Sequence, residues 1–346
     1  MVEIYEDPRH AYLDKIGREL YQRLNAAVAP ELIYDWLRVS IEKVAPADNT
    51  GGVMEWQPSF TIYDEEIKRR IAVSQLPESE RKLFNWPWKS WNNLIDPAEP
   101  GVLAVIAGPD GSGKTIYAEN LAEYWAMRGQ KVVFVHFELS KFIMLDRRAA
   151  RHTAIARRQL KLAGELTPQD MNNLEEAKRR LLNWPGEITY LHTPGWTIEL
   201  VLRSLTSLQA KGKCDVAIID YLEKAQPSSA QLRAYGTNHN QREANDVELL
   251  KNYSEGDDAT KRDGVPVVLL SQFSKFGKQQ DFKNLDRGAI RGAGEKTEKA
   301  NVVILLSPDE VNPSVMNLKL DKNTLGPKGD LKQFVDFPRY QVGDLA

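Results

Sequence analysis

Cysteine is almost absent: the 346 residues contain one, Cys214. That excludes a disulfide framework and a cysteine-rich zinc site, and it fits a reducing compartment. Cys214 itself reads as a small buried apolar residue. Long hydrophobic runs are missing too, since no stretch approaches the roughly 18 uninterrupted apolar residues of a membrane-spanning helix. The opening residues Met1-Val2-Glu3-Ile4-Tyr5-Glu6-Asp7 are acidic where a signal peptide would be basic and then apolar. A cytoplasmic protein without a membrane partner is therefore the expectation. Charge of one sign is also lacking: 46 Lys and Arg stand against 48 Asp and Glu, a net charge of −2. With no global field to attract polyanions, an anionic partner has to be held by a local patch. Internal repeats and low-complexity tracts are not seen.

What is present is a motif. Gly108-Pro109-Asp110-Gly111-Ser112-Gly113-Lys114-Thr115 fits G-x-x-x-x-G-K-[ST] at every fixed position and directly follows the apolar run Val102 to Ala107. Glycines let the backbone curl so that successive N–H groups point inward, and the following helix adds its positive N-terminal end. In such a loop Lys114 reaches the β- and γ-phosphates of a nucleotide and the Thr115 hydroxyl binds Mg²⁺. The alternative is a Gly/Ser-rich turn between a strand and a helix that matches by chance, but the strand before the loop and the amphipathic stretch Ile116 to Met127 after it supply the context the motif requires.

With 42% hydrophobic residues the chain can fill one large domain and a smaller one. Residues 9–44 carry apolar side chains at helical spacing (Leu13, Ile16, Leu20, Leu24, then Leu32, Ile33, Trp36, Leu37, Ile41, Val44), broken at Pro30. This predicts two helices, whose apolar faces serve either internal packing or a partner. Residues 46–60 lack periodicity and read as a linker, and Tyr63 to Ala72 as a short helix. The division follows: a helical N-terminal region with its linker over 1–84, and a main domain over 85–346. The run Phe84-Asn85-Trp86-Pro87-Trp88-Lys89-Ser90-Trp91 invites base stacking, but aromatics capping a core at a domain junction are the commoner case.

From Val102 short apolar runs alternate with helical stretches, the pattern of a mostly parallel sheet covered on both faces, hence an α/β fold. Strands are predicted over Val102–Ala107, Val132–Phe137, Ile188–Leu191, Val216–Asp220, Val267–Ser271 and Val302–Leu306. One helix has a clear start, with Thr167 as N-cap, Pro168 at the first position and Asp170 three residues after the cap, running to about Leu182. Asn317–Lys322 and Gln333–Phe337 would add antiparallel edge strands.

Three polar residues close apolar strands at one sheet edge. Asp220 ends Val216 to Ile219 and is a second Mg²⁺ anchor (Walker B), or only a strand terminus. Glu138 follows Val132 to Phe137 and either activates a water or is a solvated cap. Gln272 follows Val267 to Ser271 and either senses a γ-phosphate through its amide or bonds nearby backbone.

Together these pieces resemble the RecA-like ATPase domain of DnaB-type replicative helicases, over roughly residues 85–346. The matching segments are collinear: the phosphate loop; Phe137-Glu138-Leu139-Ser140 with Arg147 downstream; Thr193-Pro194-Gly195-Trp196-Thr197; Ile218-Ile219-Asp220-Tyr221-Leu222; Leu270-Ser271-Gln272-Phe273-Ser274-Lys275; Ile290-Arg291-Gly292-Ala293-Gly294; and Gly326-Pro327-Lys328-Gly329. The resemblance implies a ring of subunits, usually six, with ATP and Mg²⁺ at each boundary and single-stranded DNA through the centre. It makes Lys114 and Glu138 catalytic, the latter as base, Asp220 the Mg²⁺ partner and Gln272 the coupling residue. Arg147 and Lys322 join the phosphate loop in holding nucleotide. Arg291, the backbone of Gly292 and Gly294, Lys275 and Arg287 would hold DNA phosphates.

The charge pattern agrees. Between Lys275 and Lys299 the basic residues Lys275, Lys278, Lys283, Arg287, Arg291, Lys296 and Lys299 exceed Asp281, Asp286, Glu295 and Glu298 by three, in a glycine-containing segment suited to a phosphate backbone. A mixed-charge solvated loop is the alternative, and Pro227 to Asn245 offers a second polar loop. Two departures stand out. Where the family has K-Q-R-N-G-P, this chain has Lys322-Asn323-Thr324-Leu325-Gly326-Pro327, so Thr324 takes the place of the arginine finger. The N-terminal region is short and does not match the family's helical N-terminal domain. Other replication or mobile-element proteins are candidate partners for residues 1–84.

Overall fold

The computed structural model describes residues 8–26, 30–42, 56–77, 80–153, 155–257, 260–274 and 277–345. Contacts divide the chain into two units, Met1–Ala72 and Val73–Ala346. The first holds α1 (Pro8–Asn25), α2 (Pro30–Glu42) and most of α3 (Trp56–Ser74). Pro8 and Pro30 open their helices, where a missing N–H costs no bond. The Arg23 guanidinium sits 4.4 Å over the Trp36 ring and ties α1 to α2. The helix expected over Tyr63 to Ala72 is longer and starts at Trp56, inside the expected linker; Pro58 is at its third position and tolerated in the first turn.

The second unit is built on a nine-stranded sheet: β1 (Leu103–Gly108), β2 (Lys131–His136), β3 (Glu187–His192), β4 (Val216–Asp220), β7 (Val267–Gln272), β8 (Val302–Pro308), β9 (Val315–Asn323), β10 (Gly329–Asp336) and β11 (Gln341–Asp344). A two-stranded ribbon, β5 (Gly256–Asp257) and β6 (Arg262–Asp263), lies apart from it. The order is β11-β10-β9-β8-β1-β7-β4-β2-β3. Strands from β8 to β3 in that row pair in parallel, while β9, β10 and β11 pair antiparallel at one edge. This is the expected α/β fold, with β11 as an edge strand that sequence periodicity did not reveal.

The helices are α4 (Lys89–Asn92), α5 (Lys114–Met127), α6 (Lys141–His152), α7 (Arg157–Lys161), α8 (Pro168–Leu182), α9 (Ile198–Ala210), α10 (Ser229–Tyr235), α11 (His239–Glu255) and α12 (Ala293–Lys299). Side chains alternate across the sheet with period two. Ala104, Ile106, Val132 and Phe134 enter one core with α5; Leu103, Val105, Val133 and Val135 enter another with α9 and α11. The α8 start is as its sequence dictates: Thr167 Oγ1 accepts from the Asp170 N–H and Asp170 returns a bond to the Thr167 N–H.

The aromatic run is core. Trp86 and Trp91 are wholly buried, with Phe84 and Trp88 nearly so. Each indole N–H finds an acceptor: Trp86 on Asp96 O, Trp88 on Val342 O and Trp91 on Gln333 Oε1. Rings so buried and so bonded have no face for a nucleic-acid base. Helix α5, expected to be amphipathic, is covered nearly all round. Its Glu119 and Glu123 point away from the sheet yet are buried, because α6 brings Arg147, Arg148 and Arg151 against them.

Candidate functional site

Parallel strands end together, so β1, β2, β4 and β7 deliver Gly108, His136, Asp220 and Gln272 to one edge, with Gly108 opposite Gln272 and His136 opposite Asp220 in register. A cavity of about 440 Å³ opens there. It is lined by Asp110, Gly111, Gly113, Lys114 and Thr115 of the phosphate loop and by Glu138, Arg147, Asp220 and Gln272 from the other expected segments. Chain regions up to about 160 residues apart thus meet as the motif spacing implied.

The loop has the required backbone. Gly111 and Gly113 take φ of +76° and +84°, which other residues reach only with strain. Gly113 is also crowded, since a Cβ there would lie 3.3 Å from Phe337 Cε1. It caps α5, whose first N–H groups lack intrahelical partners and carry the positive helix end. Gly108 is crowded as well, since a Cβ there would lie 2.6 Å from Ser112 Oγ and 3.1 Å from the Leu306 carbonyl oxygen. Pro109 turns the chain out of β1.

Lys114 is buried, and its ammonium donates to Gly108 O at 2.9 Å and Pro109 O at 2.8 Å. Burial pulls its pKa below the usual value, opposed by Asp110 and Asp220. Thr115 Oγ1 donates to Asp220 Oδ2 at 2.8 Å. Burial pushes the Asp220 carboxyl up to about 6, against the pull of Thr115 and Lys114. A buried carboxylate held on a hydroxyl at the mouth of a phosphate loop suits a divalent cation. Asp110 pairs with Lys278, and exposed Glu138 with Lys224. Arg147 Nη1 lies 3.4 Å from Glu119 Oε1, with its guanidinium over the Tyr340 ring.

Sequence reasoning missed several lining residues. His136 is buried at the end of β2 and stacked on His192 at 4.9 Å; burial and that neighbour lower its pKa to about 4. Its place at a strand end, two residues before Glu138, was a usable signal. Phe337 and Tyr340 come from the β10–β11 turn, and nothing local announces that it folds over the phosphate loop.

Lys322 is outside this cavity. Its ammonium donates to Thr297 O and Glu298 O at the end of α12. Exposed Thr324 donates its N–H to Asn301 O. Among the expected DNA contacts, Lys275 lies outside the described residues. Arg287 pairs with Asp321 at 3.6 Å, while Arg291 is exposed on a turn closed by Gly292, with Gly294 exposed just beyond. That turn backs onto the site, for the Arg291 N–H donates to Gln272 O at 2.9 Å.

The expected basic surplus needs correction. Lys296 is wholly buried between Glu223 at 2.8 Å and Glu243 at 2.9 Å, so it offers nothing to a phosphate backbone. Likewise Pro227 to Asn245 is mostly helical, as α10 and the start of α11, and its Arg242 is buried. Charge counting along a segment cannot separate a solvated cation from one neutralised by remote carboxylates.

Among the described residues no helix is long and apolar enough to cross a membrane. Comparison with known proteins gives consistent likenesses. The replicative DNA helicase DnaB of Geobacillus stearothermophilus is 25% identical over 238 residues, 66% of this chain and 49% of that protein. The replicative DNA helicase DnaC of Bacillus subtilis (strain 168) is 25% identical over 235 residues, with the same coverage. The chain thus spans about half the length of the curated relatives it matches. The solved structure of a DnaB-like replicative helicase and its interactions with primase has a TM-score of 0.74 at 15% identity, covering 98% of this chain and 76% of that one, a likeness of fold. The family described as DnaB-like helicase C terminal domain matches residues 88–336, and this chain belongs to it.

Proposed function

We propose that this protein is an ATP-dependent, ring-forming helicase or translocase acting on single-stranded DNA. The observation that carries the reading is the single cavity in which Lys114, Thr115, Glu138, Asp220 and Gln272 converge, with the exposed Arg291 turn fastened behind Gln272. Lys114 and the N–H groups opening α5 hold the β- and γ-phosphates. Thr115 and Asp220 hold Mg²⁺, which when bound neutralises charge on the phosphates. Glu138 orients and deprotonates the attacking water, and Gln272 reads the γ-phosphate. Arg291 and the backbone of Gly292 and Gly294 grip DNA phosphates, joined by Arg287 and Lys275.

A ring, of six subunits by family resemblance, places a neighbour's cation at each cavity. Lys322 faces α12 within its own subunit, and Thr324 has no charge to offer. Thr324 supports a second reading, a non-unwinding RecA-like ATPase that assembles on DNA as a loader or switch. Forked-duplex unwinding with ATP and Mg²⁺ decides between them. Absence of unwinding together with turnover indifferent to single-stranded DNA would sink both the helicase and its DNA site.

A further inference from the structure

Behind the cavity lies an ion cluster that contributes no residue to the cavity lining. Lys296 of α12 has no exposed surface, and its ammonium lies between Glu223, just after β4, and Glu243 of α11. Glu223 Oε1 also accepts from Ser271 Oγ and, at 3.2 Å, from the Gln272 N–H. On its other side the Gln272 carbonyl accepts from the Arg291 N–H. Both backbone groups of Gln272 are therefore held, one by Glu223 and one by the turn.

The turn rests on the same cluster. Gly292 has φ +65°, and a Cβ there would lie 2.9 Å from Glu243 Oε2 and 3.6 Å from Lys296 Cε. Only a residue without a side chain lets the turn settle on the ion pair. Removing one member of such a buried pair leaves an uncompensated charge, so the pair resists separation. The segments after β4 and β7 and the start of α12 are thus bound into one unit.

We propose that Lys296 is a positioning residue that joins the Arg291–Gly292 turn to the strand end bearing Gln272, so that nucleotide in the cavity and DNA on the turn act on each other through the Glu223–Lys296–Glu243 cluster. This deepens the reading above and rests on it for the identity of the turn's ligand. The cluster is a strut: Glu223 sets Gln272, Lys296 sets Glu223, and Lys296 belongs to the helix that begins at the turn.

The test uses the full chain. Lys296→Met alone strands two buried carboxylates, so it is combined with Glu223→Gln and Glu243→Gln. Glutamine at 223 still accepts from Ser271 and Gln272, while methionine removes the donor that reaches from α12 to Glu223 and Glu243. In wild type, a non-hydrolysable ATP analogue should change amide exchange across residues 287–299. The triple variant should melt near wild type, bind the analogue within about threefold and keep basal turnover within about threefold, yet lose that exchange response. Its stimulation by oligo-dT should fall tenfold or more. A stable triple variant that retains either the exchange response or the stimulation overturns the proposal. So does a wild type whose segment 287–299 ignores bound analogue, an outcome that needs no variant to fold. A wild type unstimulated by oligo-dT, but with the exchange response, sinks the DNA reading and leaves the strut standing.

Discussion

Thr115 and Asp220, 105 residues apart, meet in a 2.8 Å hydrogen bond at the mouth of the phosphate loop. In the proposed function the hydroxyl and the buried carboxyl share a divalent cation. Asp220→Asn keeps the acceptor for Thr115 but loses the charge. Turnover with Mg²⁺ should fall at least about 100-fold, while binding of nucleotide in EDTA changes little. Equal loss of binding in EDTA would mean that Asp220 acts on the loop and not on the metal.

Glu138 is exposed beside the cavity and paired with Lys224. As general base it should be indispensable, so Glu138→Gln is expected to lower turnover by about 10²- to 10⁴-fold with unchanged nucleotide affinity. Lys224→Ala should alter turnover less than about tenfold, since an exposed pair contributes little. Single-turnover measurements separate the two effects.

Thr324 is exposed where the family carries its finger, and Lys322 is committed to the carbonyls of Thr297 and Glu298. Thr324→Arg should raise DNA-dependent turnover tenfold or more, because a trans arginine in phosphoryl transfer supplies about 10³-fold or more. Lys322→Ala should instead act on stability, loosening the end of α12. A turnover collapse in Lys322→Ala at unchanged melting temperature would place the trans cation at Lys322 after all.

Asp246, on α11, is buried and accepts from Gln231 Nε2 at 2.6 Å. Burial pushes its carboxyl up to about 7; the charges of Glu199 and Glu243 add to the rise, and Lys296 opposes it. A carboxyl raised on folding adds stability that is full below its unfolded pKa and lost as pH climbs through the folded one. Stability should therefore decline between about pH 4 and 7, by up to roughly 4 kcal/mol from this group. Asp246→Asn keeps the bond from Gln231 and should flatten the decline in melting temperature. An unchanged slope would remove Asp246 from the account.

Elements whose signals lie within a few residues were legible. The start of α8 follows from Thr167, Pro168 and Asp170, and β4 from an apolar run closed by Asp220. Strand β11 and the N-terminal turns of α3 before Tyr63 were not, the first because four residues carry too little alternation, the second because Pro58 in a first turn resembles a break. Of the site residues that came from motifs, Asp110, Gly111, Gly113, Lys114, Thr115, Glu138, Arg147, Asp220 and Gln272 line one cavity, while Gly108, Pro109 and Ser112 of the loop, Lys322 and the DNA set do not.

By itself the sequence determined the phosphate loop, the strand ends that carry Asp220 and Gln272, and the parallel sheet that aligns them, because glycine geometry, strand alternation and helix caps are local. Only the tertiary structure decided which charges are spent and which surfaces are covered. Lys296 and Arg291 differ by five positions in one basic segment, yet one is sealed between two carboxylates and the other faces solvent. Phe337 and Tyr340 reach the cavity because a hairpin at the sheet edge folds back over α5. Burial is a property of what packs from elsewhere in the chain, and no window of sequence contains it.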